Sequence, residues 1–361
     1  MSTMSKTSPA TNPILILSST SIAAWLSYKW SMPSPYMCII TCYILTNIYA
    51  HEIYLKTTER ITGALLGIFI LNLIVSIGSN FILIQQALFL IAILSCFYLY
   101  FIRFRPYAML ICSIVLAFTM AAELNSSASF ALSLGESWTL DVLLGSAIAV
   151  STNLLVKSWK DIGRVAPIDN IRFEIELLTT SLKQRSSFRK SFIWDLEALI
   201  KSIRIILIFF VVVVVNQLAG LQSLTVQALI GAAVVSIQLT FEHSHTKFFH
   251  RVFGACLGVL FSLSTLQAIH YYQLQINWVW ILEGWLCIYL LLMWWQPPRK
   301  YLFFQAGLVT IMLLTGINGA HVQSIDIAWQ RTLGNAEGGI ISLICIVLSD
   351  RLFKFNEDPD G

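Results

Sequence analysis

Apolar residues along this chain do not alternate with polar ones. They run in blocks of membrane-spanning length, each closed by a short polar break. A bilayer core takes about 20 apolar residues as a helix, with roughly 17 to 25 tolerated. Scanning at that length predicts twelve helices, near 13–29, 35–51, 61–78, 81–102, 106–123 and 138–156, then near 200–218, 224–241, 252–270, 277–295, 301–317 and 327–348. The first is the least apolar, because Ser18, Ser19, Thr20 and Ser21 interrupt it. Hydroxyls can return their hydrogen bonds to the preceding turn, so a helix survives that composition. Met32-Pro33-Ser34-Pro35, Gly78-Ser79-Asn80, Arg105-Pro106 and Gln296-Pro297-Pro298 carry turn residues in breaks short enough to join antiparallel neighbours.

One stretch is used twice. Arg60-x-x-Gly63-x-x-x-Gly67 and Arg251-x-x-Gly254-x-x-x-Gly258 each place glycines four apart at the head of a long apolar run. Small residues at that spacing let two helix backbones approach closely. Arg60 lies 85 residues before Gly145, and Arg251 lies 83 before Gly334, so the recurrence extends over most of each half. An even number of helices per half brings both copies in from the same side. The expected architecture is therefore an all-α polytopic membrane protein of about twelve transmembrane helices, arranged as two parallel six-helix repeats.

Charge orients that layout. Lys56 and Arg60, Arg103 and Arg105, Lys247 and Arg251, Arg299 and Lys300, and Arg351 and Lys354 all fall on one side, and Lys29 on the other. The positive-inside rule makes the first side cytoplasmic, with both termini there. Arg60 and Arg251 then read as inside anchors. The expected segments are a tail over 1–12, a membrane repeat over 13–156, a cytoplasmic basic amphipathic linker over 157–199, a second repeat over 200–348 and a tail over 349–361. In the linker, Asp169 and Asn170 can cap a helix with Ile171, Ile175, Leu178 and Leu182 on one stripe, followed by Lys183, Arg185, Arg189 and Lys190. The polar stretch at 1–12 has no cleavage pattern after the first apolar run, so that run is expected to be retained.

Composition agrees: 57% of residues are hydrophobic and 12% charged, where soluble domains carry about 25%. The net charge of +4 reports orientation, not nucleic-acid binding. All seven cysteines sit inside apolar runs without metal-ligand spacing. Glu242-His243-Ser244-His245, with His250, reads as a solvated loop and not a metal site. No P-loop is present, no cofactor is implied, and no nucleophile, base and orienting group recur as an enzyme's set.

Ionisable side chains inside spans are costly, and they mark cavities or partners. Asp141, Glu283, Arg331 and Glu337 stand out. Asp141 and Arg331 precede the equivalent glycines Gly145 and Gly334, so the duplication is expected to bring them face to face in the outer third of the bilayer. Arg331-x-x-Gly334-x-x-x-Gly338 repeats the arginine–glycine spacing a third time, with Asn335 one turn from Arg331. Those two side chains suit a carboxylate ligand through charge-assisted hydrogen bonds. Glu337 is the first candidate for carrying a proton, while Glu283, among Trp278, Trp280 and Trp285, is expected near the interface. Asn47, Asn72, Gln85, Gln86, Gln227, Gln238, Gln305 and Asn318 are expected to bind helices to one another.

With the duplicated arginine–glycine motif and the six-helix, cytoplasmic, six-helix layout, the chain resembles the fusaric acid resistance and aromatic acid exporter family of bacterial inner-membrane proteins. Its short linker makes it a compact variant. The resemblance implies a proton-coupled secondary exporter of small aromatic or amphipathic organic acids or toxic compounds, working with a periplasmic membrane-fusion adaptor. Membrane lipid, a small-molecule substrate and a homo-oligomer are the other expected partners. The alternative is a non-transporting scaffold or accessory subunit of an export or envelope assembly.

Overall fold

The computed structural model describes residues 13–30, 32, 35–47, 53–78, 82–125, 127–160, 195–237, 241–272, 277–315 and 321–353. The tails, most of the linker including its Asp169–Lys190 stretch, Gln238 and Asn318 lie outside the described residues. Among the described residues there are twelve α-helices: α1 (Pro13–Lys29), α2 (Pro35–Thr46), α3 (Ile53–Gly78), α4 (Ile82–Phe101), α5 (Pro106–Asn125), α6 (Ala128–Lys160), α7 (Leu196–Leu218), α8 (Thr225–Ser236), α9 (Phe241–Tyr272), α10 (Trp278–Trp295), α11 (Lys300–Thr315) and α12 (His321–Phe353). Single 3₁₀ turns precede α8 and α11.

Local chemistry explains several boundaries. Asp195 caps α7 by accepting from the Ala198 amide at 3.0 Å, and Asn277 caps α10 by accepting from Val279 at 3.0 Å. Gly220 turns the chain after α7 with φ of 69°. In α1 the hydroxyls of Ser18, Ser19 and Thr20 return bonds to the carbonyls of Ile14, Ile16 and Ile16 at 2.6, 2.9 and 2.8 Å. That helix therefore hides its polar atoms within itself.

Eight helices (α3 to α7, α9, α10 and α12) are long and apolar enough to cross a membrane. The other four are shorter. Both α2 and α8 have 12 residues, about 18 Å at 1.5 Å per residue, well under the roughly 30 Å of a bilayer core. They end before the expected 35–51 and 224–241. The helices that follow them start early, α3 at Ile53 and α9 at Phe241, and pass alongside.

Burial separates an inner from an outer group. In α2, α8 and α11 most side chains are buried, with every residue of α11 from Gln305 to Thr315 enclosed. The apolar span of α5 is 72% buried. The remaining long helices expose large apolar side chains, such as Phe69, Leu207, Phe253 and Leu291. Those faces suit lipid. The inner four meet in pairs, α2 on α11 and α5 on α8, while α1 packs on α10 and α4 on α7.

Glycines set the closest crossings. A Cβ at Gly63 would meet the Ala108 carbonyl, and one at Gly254 the Leu302 carbonyl, so α3 lies directly on α5 and α9 on α11. One turn on, Gly67 and Gly258 would place Cβ atoms 2.9 Å from Val115 and 2.8 Å from Val309. Gly334 and Gly338 do the same for α12 against α8, at Gln227 and at the Ala228 carbonyl. We expect Gly254→Ala to destabilise the folded protein by about 1–3 kcal/mol, the usual cost of overpacking. Gly284→Ala, where nothing lies within 4 Å, serves as the neutral control. Denaturant titration in mixed micelles compares the two, and equal effects would refute the crossing argument.

Candidate functional site

The glycine crossings pull three arginines into the interior. Arg60, Arg251 and Arg331 are 5%, 4% and 8% exposed. The first two were expected as inside anchors ahead of close-packed helices. Each sits about two turns or more into a long helix that runs past a short one, and its guanidinium is buried.

In the second half, the Arg251 Nε donates to Asn335 Oδ1 at 2.8 Å, tying α9 to α12. One turn earlier on α12, Arg331 Nη1 donates to Gln227 Oε1 on α8 at 2.8 Å. Arg251 and the phenols of Tyr36 and Tyr301 lie within electrostatic reach of Arg331. Two buried guanidinium groups thus stand near one another with neutral amide partners, and among the described residues neither makes an ion pair. The Arg331 Nε and the Asn335 Nδ2 are buried without a hydrogen-bond partner. Donors left over around buried positive charge form an arrangement that accepts an anion.

The first half holds one such arginine. Arg60 donates to the Tyr107 hydroxyl of α5 at 2.8 Å and to the Thr41 hydroxyl of α2 at 3.3 Å, and its Nε has no partner. Asp141 does not pair with Arg331. Its carboxyl is fully buried in α6 near Cys38, and neither oxygen has a hydrogen-bond partner. The expected meeting fails because α6 packs on α1, α2, α3 and α5, whereas Arg331 faces α8.

The other carboxyls are dispersed. Glu337 Oε1 accepts from Asn216 of α7 at 2.8 Å, so it joins two helices, and its Oε2 has no partner. Glu283 Oε1 accepts from Thr20 of α1 at 3.0 Å, across the contact between α1 and α10. Glu123, at the end of a predicted span and not singled out, accepts weakly from Gln86 at 3.4 Å. Of the amides, Gln227 bonds an arginine, Gln86 a carboxyl and Asn72 its own helix at Ile68, while Asn47 lies against the Tyr43 hydroxyl. His243, His245 and His250 lie in the first turns of α9, not in a loop.

Sequence reasoning missed Thr41, Tyr107, Asn216 and Tyr301, which surround the charged groups. A signal was available for two of them. Lys56 and Lys247 precede the motif arginines by four residues, and each ammonium sits over a tyrosine at the head of the fifth helix of its half, at 5.9 Å for Tyr107 and 3.8 Å for Tyr301. The paired spacing of Lys, Arg and Tyr in the two halves was legible in the sequence.

Comparison with known proteins agrees with the architecture. The family described as fusaric acid resistance protein-like matches residues 21–152 and 211–345, about three quarters of the chain. No curated protein and no solved structure matches it. With that coverage and eight helices of membrane-spanning length, the chain belongs to the fusaric acid resistance protein-like family and is a multi-pass membrane protein.

Proposed function

We propose that this protein is a bacterial inner-membrane secondary exporter that moves small aromatic or amphipathic organic acids, driven by protons and working with a periplasmic adaptor. The observation that carries the reading is the pair of buried arginines, Arg251 and Arg331, held by Asn335 and Gln227 with no carboxylate on either among the described residues. A buried charge is costly when unpaired, and a carboxylate ligand between α8, α9 and α12 would offset that cost. The family match supports transport across a membrane, and the adaptor follows from family resemblance.

The same reading takes the chain as two parallel six-helix repeats with twelve membrane-embedded helices. The helix contacts support it: α1 on α10 mirrors α7 on α4, and α2 on α11 mirrors α8 on α5. The two matched regions are of nearly equal length. Positive charge on one side supports cytoplasmic termini. Access would alternate as the halves rock about the central four helices.

Arg331→Gln is expected to weaken binding of benzoate to purified protein about tenfold or more, since hydrogen bonds to charged groups contribute about 1.5–3 kcal/mol. Asn335→Leu should act in the same direction, and an unchanged dissociation constant for both by calorimetry would sink the site. In liposomes under an imposed pH gradient, one of Glu337→Gln, Asp141→Asn or Glu283→Gln is expected to abolish gradient-driven uptake while leaving benzoate binding in place. If wild-type protein moves no aromatic acid and binds none, the scaffold alternative stands instead.

A further inference from the structure

The second-half site uses Arg251, but its counterpart Arg60 has its own buried surroundings, and they are built alike. Lys56 and Lys247, Arg60 and Arg251, Gly63 and Gly254, and Gly67 and Gly258 are each 191 residues apart. The glycines bring α3 onto α5 and α9 onto α11 at matching carbonyls, Ala108 and Leu302. A tyrosine stands at the head of each partner helix, Tyr107 and Tyr301, with the lysine over its ring. The same backbone crossing therefore presents the same lysine, arginine and tyrosine twice.

We propose that the chain carries a second anion station, centred on Arg60, that binds a small carboxylate independently of the site at Arg251 and Arg331. The proposal rests on reading the latter as an anion site. Arg60 is enclosed by α2, α3 and α5, and the buried Glu59 precedes it in the chain. Its Nη atoms are held by the Tyr107 and Thr41 hydroxyls, which fix the guanidinium plane. The Nε–H is left without a partner, so one edge of the guanidinium has an unused donor. A carboxylate meets such an edge with charge-assisted hydrogen bonds. The Lys56 ammonium lies over the Tyr107 ring, one turn before Arg60 on α3.

The two stations differ in their donors. The first combines one guanidinium with two hydroxyls, and the second two guanidiniums with two amides. The doubly charged station should hold an anion more tightly, so the stations are separable in a titration.

The test is calorimetric titration of the full-length protein in nanodiscs with benzoate. Wild-type protein should show two sites per chain with distinct affinities. Arg60→Gln should leave only the tighter site, and Arg331→Gln should weaken that site and leave the other unchanged. Tyr107→Phe keeps the arginine and removes the hydroxyl that orients it, and should weaken only the first station, about threefold to tenfold. A wild-type stoichiometry of one, removed by Arg331→Gln and untouched by Tyr107→Phe, overturns the second station and leaves the proposed function standing. Absence of benzoate binding by wild-type protein overturns both.

Discussion

The structure depends on helix backbones crossing at glycine. Where Gly63 and Gly67 meet α5, Gly254 and Gly258 meet α11, and Gly334 and Gly338 meet α8, there is no room for a side chain. Membrane helices gain little from apolar burial against one another, because lipid is as apolar as the neighbouring helix. Close approach supplies dispersion contacts instead, and it fixes the rotation of α3, α9 and α12. Once those rotations are fixed, the arginine three residues before the first glycine of each motif points along the same face. It is driven inward whether or not a carboxylate is there to meet it.

That constraint also explains the short inner helices. A buried guanidinium needs acceptors, and a full-length apolar helix offers only satisfied backbone groups. In α2 and α8 the residues facing the arginines are Thr41 and Gln227, side-chain acceptors on helices too short to span. Asn335 does the same from α12. The buried arginines of α3 and α12 turn toward the short inner helices, while Phe69, Leu207 and Phe253 face outward from long helices able to cross the bilayer unaided.

Helix positions were legible from run length alone, because apolar blocks and Pro or Gly breaks are local features. Helix ends were less so. Early starts such as Phe241 for α9 lie in polar sequence whose helicity owes nothing to lipid, and the ends of α2 and α8 depend on packing. The arginines were visible but their surroundings were not: a count of positive charge assigns Arg60 to a side, and only the rotation set by Gly63 turns it toward Thr41 and Tyr107. Asp141 and Arg331 were paired on sequence equivalence, yet they stand one residue out of register relative to Gly145 and Gly334. On a helix one residue is about 100° of rotation, enough to send the two side chains to different neighbours.

Alignment on those two glycines shows where the halves diverge. Val142 corresponds to Arg331, Ser146 to Asn335 and Ile148 to Glu337, so three positions that are apolar or small in α6 are charged or amide-bearing in α12. By contact with those glycines, Thr41 against Gly145 stands where Gln227, the acceptor that holds Arg331, stands against Gly334, and a threonine could not reach as far. The added arginine, its acceptor and the added amide lie together around Arg251, and each would be costly in the membrane interior alone. Together they satisfy much of one another's hydrogen bonding and leave a surplus of positive charge. The contacts between helices recur from one half to the other, and the surplus does not. It is the feature of the second half that packing does not require.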